Sequence, residues 1–404
     1  MSRPASSSKS RLPSRLLLQP MLLAGSISKL LATVMGKRGY PPDPKRILVA
    51  HHLLLGDTLM LSALLAKLRH NHPAAEIVMT CPKAILPLYA GKPWGVQGVA
   101  YDPRDVSTLH ALWQQRGFDL ALVPGDSRYS WLARGLGARH IVAQAGDTPD
   151  YKNWFVDEQR AWPEDPTALP EIFASLAAGE DAPAFAAGQW SLAPDCNFTL
   201  PETPYAVLHL GASTPLKFWP AERWAALAAA LLERGITPVW SAGKKETTLV
   251  TAADPQGLFR SYAGELDLLQ LAHLLRGARL LVGPDTGVTH LGRITGTPTV
   301  TLFGPGSEVL CAHSPFFHGT PAIALSARMA CRNQQIIFRR RIDWVRRCGR
   351  GFDSASAIPA SPAAPRCGQA LCMEHVTFDD VLDACQQLLE RSSSHSTPSR
   401  TNIQ

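Results

Sequence analysis

Four short clusters carry the residue types that proton transfer and phosphate binding need. Asp57 follows Gly56 where a loop gives way to a helical run. A carboxylate there either caps the helix or acts as a general base with an ordinary pKa of about 4. Gly211-Ala212-Ser213 is followed by Lys217 and Trp219-Pro220. Small residues after a strand and a cation before a helix suit a phosphate group; a solvated lysine is the alternative. Ser241-Ala242-Gly243 has Glu246 nearby. In the fourth cluster the apolar run Leu280 to Val282 breaks at Gly283-Pro284, and Asp285, Thr286 and Gly287 stand where a helix starts. Asp285 is a cap or a ligand contact. His290, four residues beyond Thr286, shares its helical face, as a packed core histidine or as part of the cluster. No Walker A sequence, Gly-x-Ser-x-Gly elbow or His-Glu-x-x-His pair occurs.

The elements that must hold these clusters alternate as strand and helix. Strands are expected at Arg46–Ala50, Glu76–Thr80, Val99–Tyr101, Phe118–Val123 and Ile141–Ala143. The helix opening at Gly56-Asp57 has an apolar face of Leu59, Leu61, Leu64, Leu65 and Leu68, and another helix is expected over Leu109–Arg116. After a stretch of weak strand signal from Asp147 to Pro201, the pattern restarts with strands at Tyr205–Gly211, Thr237–Trp240, Arg279–Val282 and Thr299–Phe303. Helices cover Ala221–Arg234, ended by Gly235, and Phe378–Arg391. This is a doubly wound α/β pattern, in which clusters at strand ends lie on the ligand edge of a sheet.

Composition narrows the class. The chain has 404 residues, 46% of them hydrophobic, enough for two globular domains. Its net charge of +7 is uneven. Seven basic residues and no acid precede Tyr40; removing those seven from 40 leaves 33 against 33 acids. The body is therefore neutral, which argues against a nucleic-acid-binding surface. Eight cysteines in a chain with ample core need no disulfide framework; reduced thiols in a cytosolic protein are expected, without a structural metal. Met1 to Ser14 reads as disordered. Leu16 to Ala24 resembles a signal-peptide core, but Pro20 interrupts it and no small-residue cleavage site closes it. The apolar content is too broken for a membrane span. A basic segment lying on a membrane surface and a plain disordered extension are the two readings.

Together the motifs are more specific than any one of them. Leu55-Gly56-Asp57, the string Gly211-Ala212-Ser213…Lys217-x-Trp219-Pro220-x-x-Arg223-Trp224, and Gly283-Pro284-Asp285-Thr286-Gly287-x-x-His290-Leu291 with Gly296-Thr297-Pro298-Thr299-Val300-x-Leu302-Phe303-Gly304-Pro305 resemble glycosyltransferase family 9. That family contains the ADP-heptose:lipopolysaccharide heptosyltransferases, and the likeness runs from about Lys45 to Leu389. It implies a GT-B architecture, two Rossmann-like doubly wound domains facing across a cleft. It also implies an inverting, metal-independent transferase without a cofactor. The donor would be a nucleotide-diphosphate sugar such as an ADP-heptose, and the acceptor a lipid-linked glycan of the lipopolysaccharide core. Such an enzyme would work in the cytoplasm, against the inner face of a Gram-negative inner membrane. By the match, Asp57 is the base and Lys217 neutralises the departing diphosphate. Asp285, Thr286 and Gly287, with Gly211 and Ser213, would hold the donor; His290 would support the turn and Glu246 would contact the ribose.

The implied organisation is an extension (1–42), an acceptor domain (43–198), a donor domain (199–391) and a disordered tail (392–404). Three features depart from the family pattern. His51-His52-Leu53-Leu54 replaces small polar residues beside Gly56-Asp57, the N-terminal extension is unusual, and Arg339, Arg340, Arg341, Arg346 and Arg347 add a basic patch. That patch either faces an anionic acceptor or membrane, or is a solvated helix face. The alternatives to lipopolysaccharide heptosyl transfer are the same fold with another donor and acceptor, and a silent sugar-nucleotide-binding scaffold.

Overall fold

A computed structural model describes residues 11–34, 36, 39–194, 198–349 and 370–394. In the first half come helix α1 (Leu12–Val34), strand β1 (Arg46–Val49), α2 (Leu55–Met60), α3 (Ser62–Asn71), β2 (Glu76–Cys81) and β3 (Val96–Ala100). They are followed by α4 (Val106–Trp113), β4 (Leu120–Val123), α5 (Tyr129–Gly135), β5 (His140–Gln144), β6 (Glu158–Arg160) and α6 (Leu169–Ala174). The six strands pair in parallel in the order β3-β2-β1-β4-β5-β6. That is the doubly wound order with its switch point between β1 and β4, where the chain leaves the sheet on opposite faces.

The second half holds β7 (Tyr205–His209), α7 (Ala221–Leu232), β8 (Thr237–Ser241), α8 (Thr247–Ala253), α9 (Leu268–Gly277), β9 (Leu280–Pro284) and α10 (Gly287–Thr295). Then come β10 (Thr299–Phe303), α11 (Glu308–Cys311), β11 (Ala322–Ser326), the hairpin β12 (Ile336–Ile337) and β13 (Arg340–Arg341), α12 (Leu371–Glu374) and α13 (Phe378–Ser394). The main sheet runs β11-β10-β9-β7-β8, all parallel. A single parallel bridge from Trp240 to Ser261 stands beyond β8, where the first sheet has β3. The two sheets thus repeat one topology, and the architecture is GT-B: two Rossmann-like domains facing each other.

The elements follow the residue pattern closely where burial is two-sided. β1, β4, β5, β7, β9 and β10 are almost wholly buried, so their sequences read as continuous apolar runs. The edge strand β6, Glu158-Gln159-Arg160, is polar and short and gives no strand signal. The helix expected after Gly56 is two helices that meet at Leu61, with Leu59, Leu61, Leu64, Leu65 and Leu68 all buried. Between the halves, α6 packs on α3 and the chain then crosses to the second domain. There the Phe185 N–H donates to the Phe316 carbonyl (2.7 Å), while the Trp190 ring meets Tyr89 and Trp94 edge-on at 5.1 and 5.5 Å.

Two expectations need correction. The described part of the segment expected to be disordered is helical from Leu12, and α1 passes through Pro20 without ending. Pro20 cannot donate to the Leu16 carbonyl, and Leu16 is on an exposed side of the helix, where that carbonyl needs no protein partner. On the other side Met21 and Leu22 are buried against α5, Gly25 lies on the Arg134 carbonyl, and Lys29 pairs with Asp157. Residues 1–10 and 395–404 lie outside the described residues, and α13 runs to Ser394, into the expected tail. The basic patch is not a helix face. Phe338 and Arg339, both with positive φ (45° and 64°), form the two-residue turn of the β12–β13 hairpin.

Candidate active site

The two domains meet most closely where α2 approaches α10. A Cβ on Gly56 would lie 3.0 Å from His290 Cδ2 and 3.5 Å from Gly287 Cα. One on Gly287 would lie 2.8 Å from the Leu55 side chain. Glycine at both positions lets the helix starts touch, which brings the residue after Gly56 opposite the residues before Gly287. α10 starts there because Thr286 caps it, its Oγ1 accepting from Val288 N–H at 3.4 Å. Thr289 returns its hydroxyl to the Thr286 carbonyl at 3.0 Å.

Asp57 therefore lies in the first turn of α2, partly exposed in the seam, facing charges from the other domain. Burial among protein atoms pushes its pKa up to about 6, above the value near 4 that the sequence suggests. Arg347 and Lys217 pull it down and Asp285 pushes it up. All three come from the second domain, so charges across the seam adjust the basicity that burial sets. A carboxylate with a pKa of about 6 is ionised at neutral pH yet accepts a proton more readily than a solvated one.

Lys217 closes the 3-10 turn Pro215–Lys217, which Thr214 caps by accepting from the Leu216 N–H. Its Nζ donates to the Asp285 carbonyl and to Asp285 Oδ2 (3.1 Å). Asp285 is buried at the end of β9, where its own N–H donates to the Leu302 carbonyl at 3.0 Å. The His290 Nε2 lies 3.8 Å from Asp285 Oδ1. Burial holds His290 down to about 4, so it is neutral at physiological pH.

Glu246 precedes α8 and folds back over the neighbouring loops. Its Oε1 accepts from the Ala212 N–H and its Oε2 from the Gly243 N–H, both at 2.9 Å. A Cβ on Gly211 would strike Oε2 at 2.2 Å, so glycine is required for this embrace. Ser241, at the end of β8, shares a 3.0 Å hydrogen bond with His209. Ser213 is exposed on the loop that leads to Lys217.

The structure thus gathers Asp57, Lys217, Asp285, Thr286, Gly287 and His290 in one seam, and ties Gly211 to Glu246 on the adjoining loops. Arg347 joins the seam from the basic patch. Its proximity to Asp57 depends on how the segment after β13 crosses between domains, which no local pattern encodes. Arg340 goes elsewhere: it is buried and donates to the carbonyls of Ala145, Gly125 and Gln144 at 2.6 to 3.0 Å.

Among the described residues Asp285, His290 and Cys311 each bring one metal-capable atom within 4.8 Å of the others. Their chemistry does not fit a cation. The Lys217 ammonium already sits on the Asp285 carboxylate, and burial pushes the Cys311 thiol well above its ordinary range, against the thiolate a metal binds.

Comparison with known proteins identifies the family and the fold. The family model described as glycosyltransferase family 9 (heptosyltransferase) matches residues 108–335. Lys217, Glu246 and Asp285 lie inside that range and Asp57 outside it. Lipopolysaccharide heptosyltransferase 1 of Pseudomonas aeruginosa is 36% identical over 108 residues, 26% of this chain and 30% of its own length. Lipopolysaccharide heptosyltransferase 2 of Escherichia coli is 24% identical over 297 residues, 65% of this chain and 83% of its own. The crystal structure of E. coli ADP-heptose lps heptosyltransferase II superposes with a TM-score of 0.63 at 19% identity, covering 86% of this chain and 99% of that one.

Proposed function

The chain belongs to glycosyltransferase family 9, and we propose that it moves a heptose or related sugar from an ADP-sugar to a lipopolysaccharide core or similar glycolipid, with inversion and without a metal. The observation that carries this reading is the seam itself, with a carboxylate of raised pKa on one domain facing a lysine and a helix N-terminus on the other. Asp57 takes the proton of an acceptor hydroxyl as that oxygen attacks the anomeric carbon. The bond to the diphosphate breaks on the opposite face of the sugar. The charge released there is met by Lys217 and by the positive end of α10, whose turn Asp285-Thr286-Gly287 holds donor sugar and phosphate. Gly211 and Ser213 border the diphosphate, His290 supports the turn, and Glu246 supports the ribose end by holding the two loops.

Membrane association belongs to the same reading. No helix among the described residues is long and apolar enough to cross a membrane. The outward side of α1, however, exposes Leu16, Leu23, Ile27, Leu30, Leu31 and Val34, next to Arg11 and Arg15. An apolar helix face with flanking cations suits the interface of an anionic membrane. The enzyme is placed by this reading at the cytoplasmic face of an inner membrane, where a lipid-linked acceptor is presented.

The test is calorimetric titration of the full chain with ADP, UDP and GDP, repeated on Lys217→Ala. We expect ADP to bind best, and the variant to lose roughly tenfold in affinity, the size of one charge-assisted contact. Excess EDTA leaves donor turnover unchanged. Preference for UDP or GDP overturns the donor assignment, and absence of all binding overturns the nucleotide-sugar transferase reading.

A further inference from the structure

Residues 338–348 leave the second domain, are tied down on the first, and return. Phe338 lies against Gly125, Arg340 donates to first-domain carbonyls, and Trp344 Nε1 donates to the Pro163 carbonyl at 2.9 Å. Val345 is fully buried. Two residues on, the chain is back on the second domain. Arg347 and Gln334 exchange backbone hydrogen bonds at 3.0 and 2.9 Å, and the Cys348 N–H donates to the Pro305 carbonyl at 3.0 Å. Pro305 precedes Gly306, which has no room for a Cβ beside the Asp285 carboxylate. Backbone pairing therefore sets Arg347 next to the Lys217–Asp285 pair, at the end of a strap that both domains hold.

The side chain at that position is half-buried and uncommitted. Among the described residues the Arg347 guanidinium donates only to the Ile336 carbonyl, at 3.5 Å, and forms no ion pair. The neighbouring cations are engaged. Arg340 is the buried clamp, Arg341 pairs with Asp343, and Arg346 donates to the Asp343 and Val345 carbonyls. Lys217 is held by Asp285, carboxylate and carbonyl together. Asp57 also forms no ion pair among the described residues, so the carboxylate and the Arg347 cation share the seam without touching.

The other groups around Asp57 leave this cation uncompensated. On α10 and just beyond it, burial keeps His290 neutral and the Cys311 thiol protonated. His51, at the end of β1, is buried and held down to about 3, so it is neutral too. On the helices packed beside α2, Glu171 is taken by Ser314 and Phe316, Lys67 by Asp181, and Arg69 by backbone carbonyls. The opposite charges of Lys217 and Asp285 act against each other, which leaves Arg347. After burial it is the largest influence on Asp57, and it favours the charged form. Separation suits the task. A cation in direct contact would occupy the carboxylate oxygens, whereas one held nearby stabilises the charge and leaves them able to take a proton.

We propose that Arg347 is a positioning residue for the Asp57 base, a cation that the strap holds across the seam so that the carboxylate is ionised when the acceptor arrives. The role rests on the transferase reading of Asp57. It gives the strap a task beyond joining the domains: the charge that readies the base is in place only where the strap is seated on both. It also separates Arg347 from Lys217, which serves the departing diphosphate and not the base.

The experiment is carboxyl-carbon NMR titration of the full chain labelled at aspartate, with the Asp57 signal assigned by its loss in Asp57→Asn. It is repeated on Arg347→Gln, Arg347→Lys and Arg346→Gln, each also titrated with ADP by calorimetry. The wild-type midpoint is expected at about 6. Arg347→Gln should raise it by roughly one pH unit, the effect of one cation in a partly wet seam. Arg347→Lys restores it, Arg346→Gln leaves it unchanged, and ADP affinity stays within about twofold in all three. With ADP-heptose and deacylated lipopolysaccharide, turnover by Arg347→Gln falls roughly fivefold at pH 6 and within about twofold at pH 8.5. An unmoved midpoint in Arg347→Gln overturns the proposal, as does an equal loss of turnover at both pH values, which a merely structural role would give. Loss of ADP affinity without a moved midpoint assigns Arg347 to the diphosphate and overturns it too. A moved midpoint in a chain that binds no ADP sustains the charge coupling and counts against the transferase reading.

Discussion

As the proposed base, Asp57 owes its raised pKa first to burial in the seam, and three charges on another domain then adjust it. Substituting Asp57→Asn removes the base while keeping size and shape, so turnover falls by a factor of roughly 100 to 10,000, as for other general bases, with ADP affinity unchanged. In the wild type, the acid limb of a measured pH–turnover profile is expected at about pH 6, because burial raises the Asp57 pKa to about 6. Stability should move the opposite way. Asp57 has a higher pKa folded than its ordinary value of 3.8, so the native state holds the extra proton between those pH values and loses stability as pH rises through them. Asp57→Asn therefore melts above the wild type at about pH 7.5, and the difference closes near pH 4. A variant that melts lower than the wild type at neutral pH contradicts the buried-charge account.

At the scale of elements, the site depends on contact between two helix starts. Gly287→Ala puts a methyl group 2.8 Å from Leu55, so α2 and α10 must separate. The expected result is a loss of about 1–3 kcal/mol in urea denaturation and a larger proportional fall in turnover, since Asp57 is displaced from Lys217. Helix α1 has one buried face and one exposed face, the latter proposed to meet the membrane. Met21 and Leu22 are buried against the first domain, and Leu23 and Leu30 point away from it. Leu23→Glu with Leu30→Glu should abolish co-sedimentation with vesicles containing anionic lipid while leaving the melting temperature within a degree or two. Equal sedimentation of variant and wild type counts against the membrane face.

At the scale of the whole molecule, the hairpin from the second domain is pinned inside the first. Arg340 reaches five first-domain partners: the Gly125, Gln144 and Ala145 carbonyls, Ser127 Oγ, and Asp147 at 3.5 Å. Arg340→Ala leaves those acceptors buried and unpaired, so a destabilisation of about 3 kcal/mol is expected by denaturant unfolding. Hydrogen exchange should quicken in β12, β13 and the loop after β4 together, because the arginine couples them. Quickening confined to the hairpin would mean that the two domains are held by the apolar seam alone.

Much of this was readable along the chain. The buried strands announce themselves as apolar runs ended by Gly-Pro or Gly-Ala, and such endings mark the ligand edge without knowledge of contacts. The order of Asp57, Lys217, Asp285 and His290 and the identity of the family come from local strings of residues. The polar edge strand β6 gave no signal, because an edge strand pairs through its backbone and needs no apolar side chain. Pro20 looked like a break, because its effect depends on whether the lost hydrogen bond faces water. The division of the five-arginine patch into a buried clamp (Arg340), a neighbour of Asp57 (Arg347) and a hairpin-turn residue (Arg339) had no sequence signature. Sequence by itself determined which residues could do chemistry and on which strand ends they stand, since periodicity and turn chemistry act over a few residues. Only the tertiary structure decided which of them share a site and at what pKa, because burial and charge act through space between segments hundreds of residues apart.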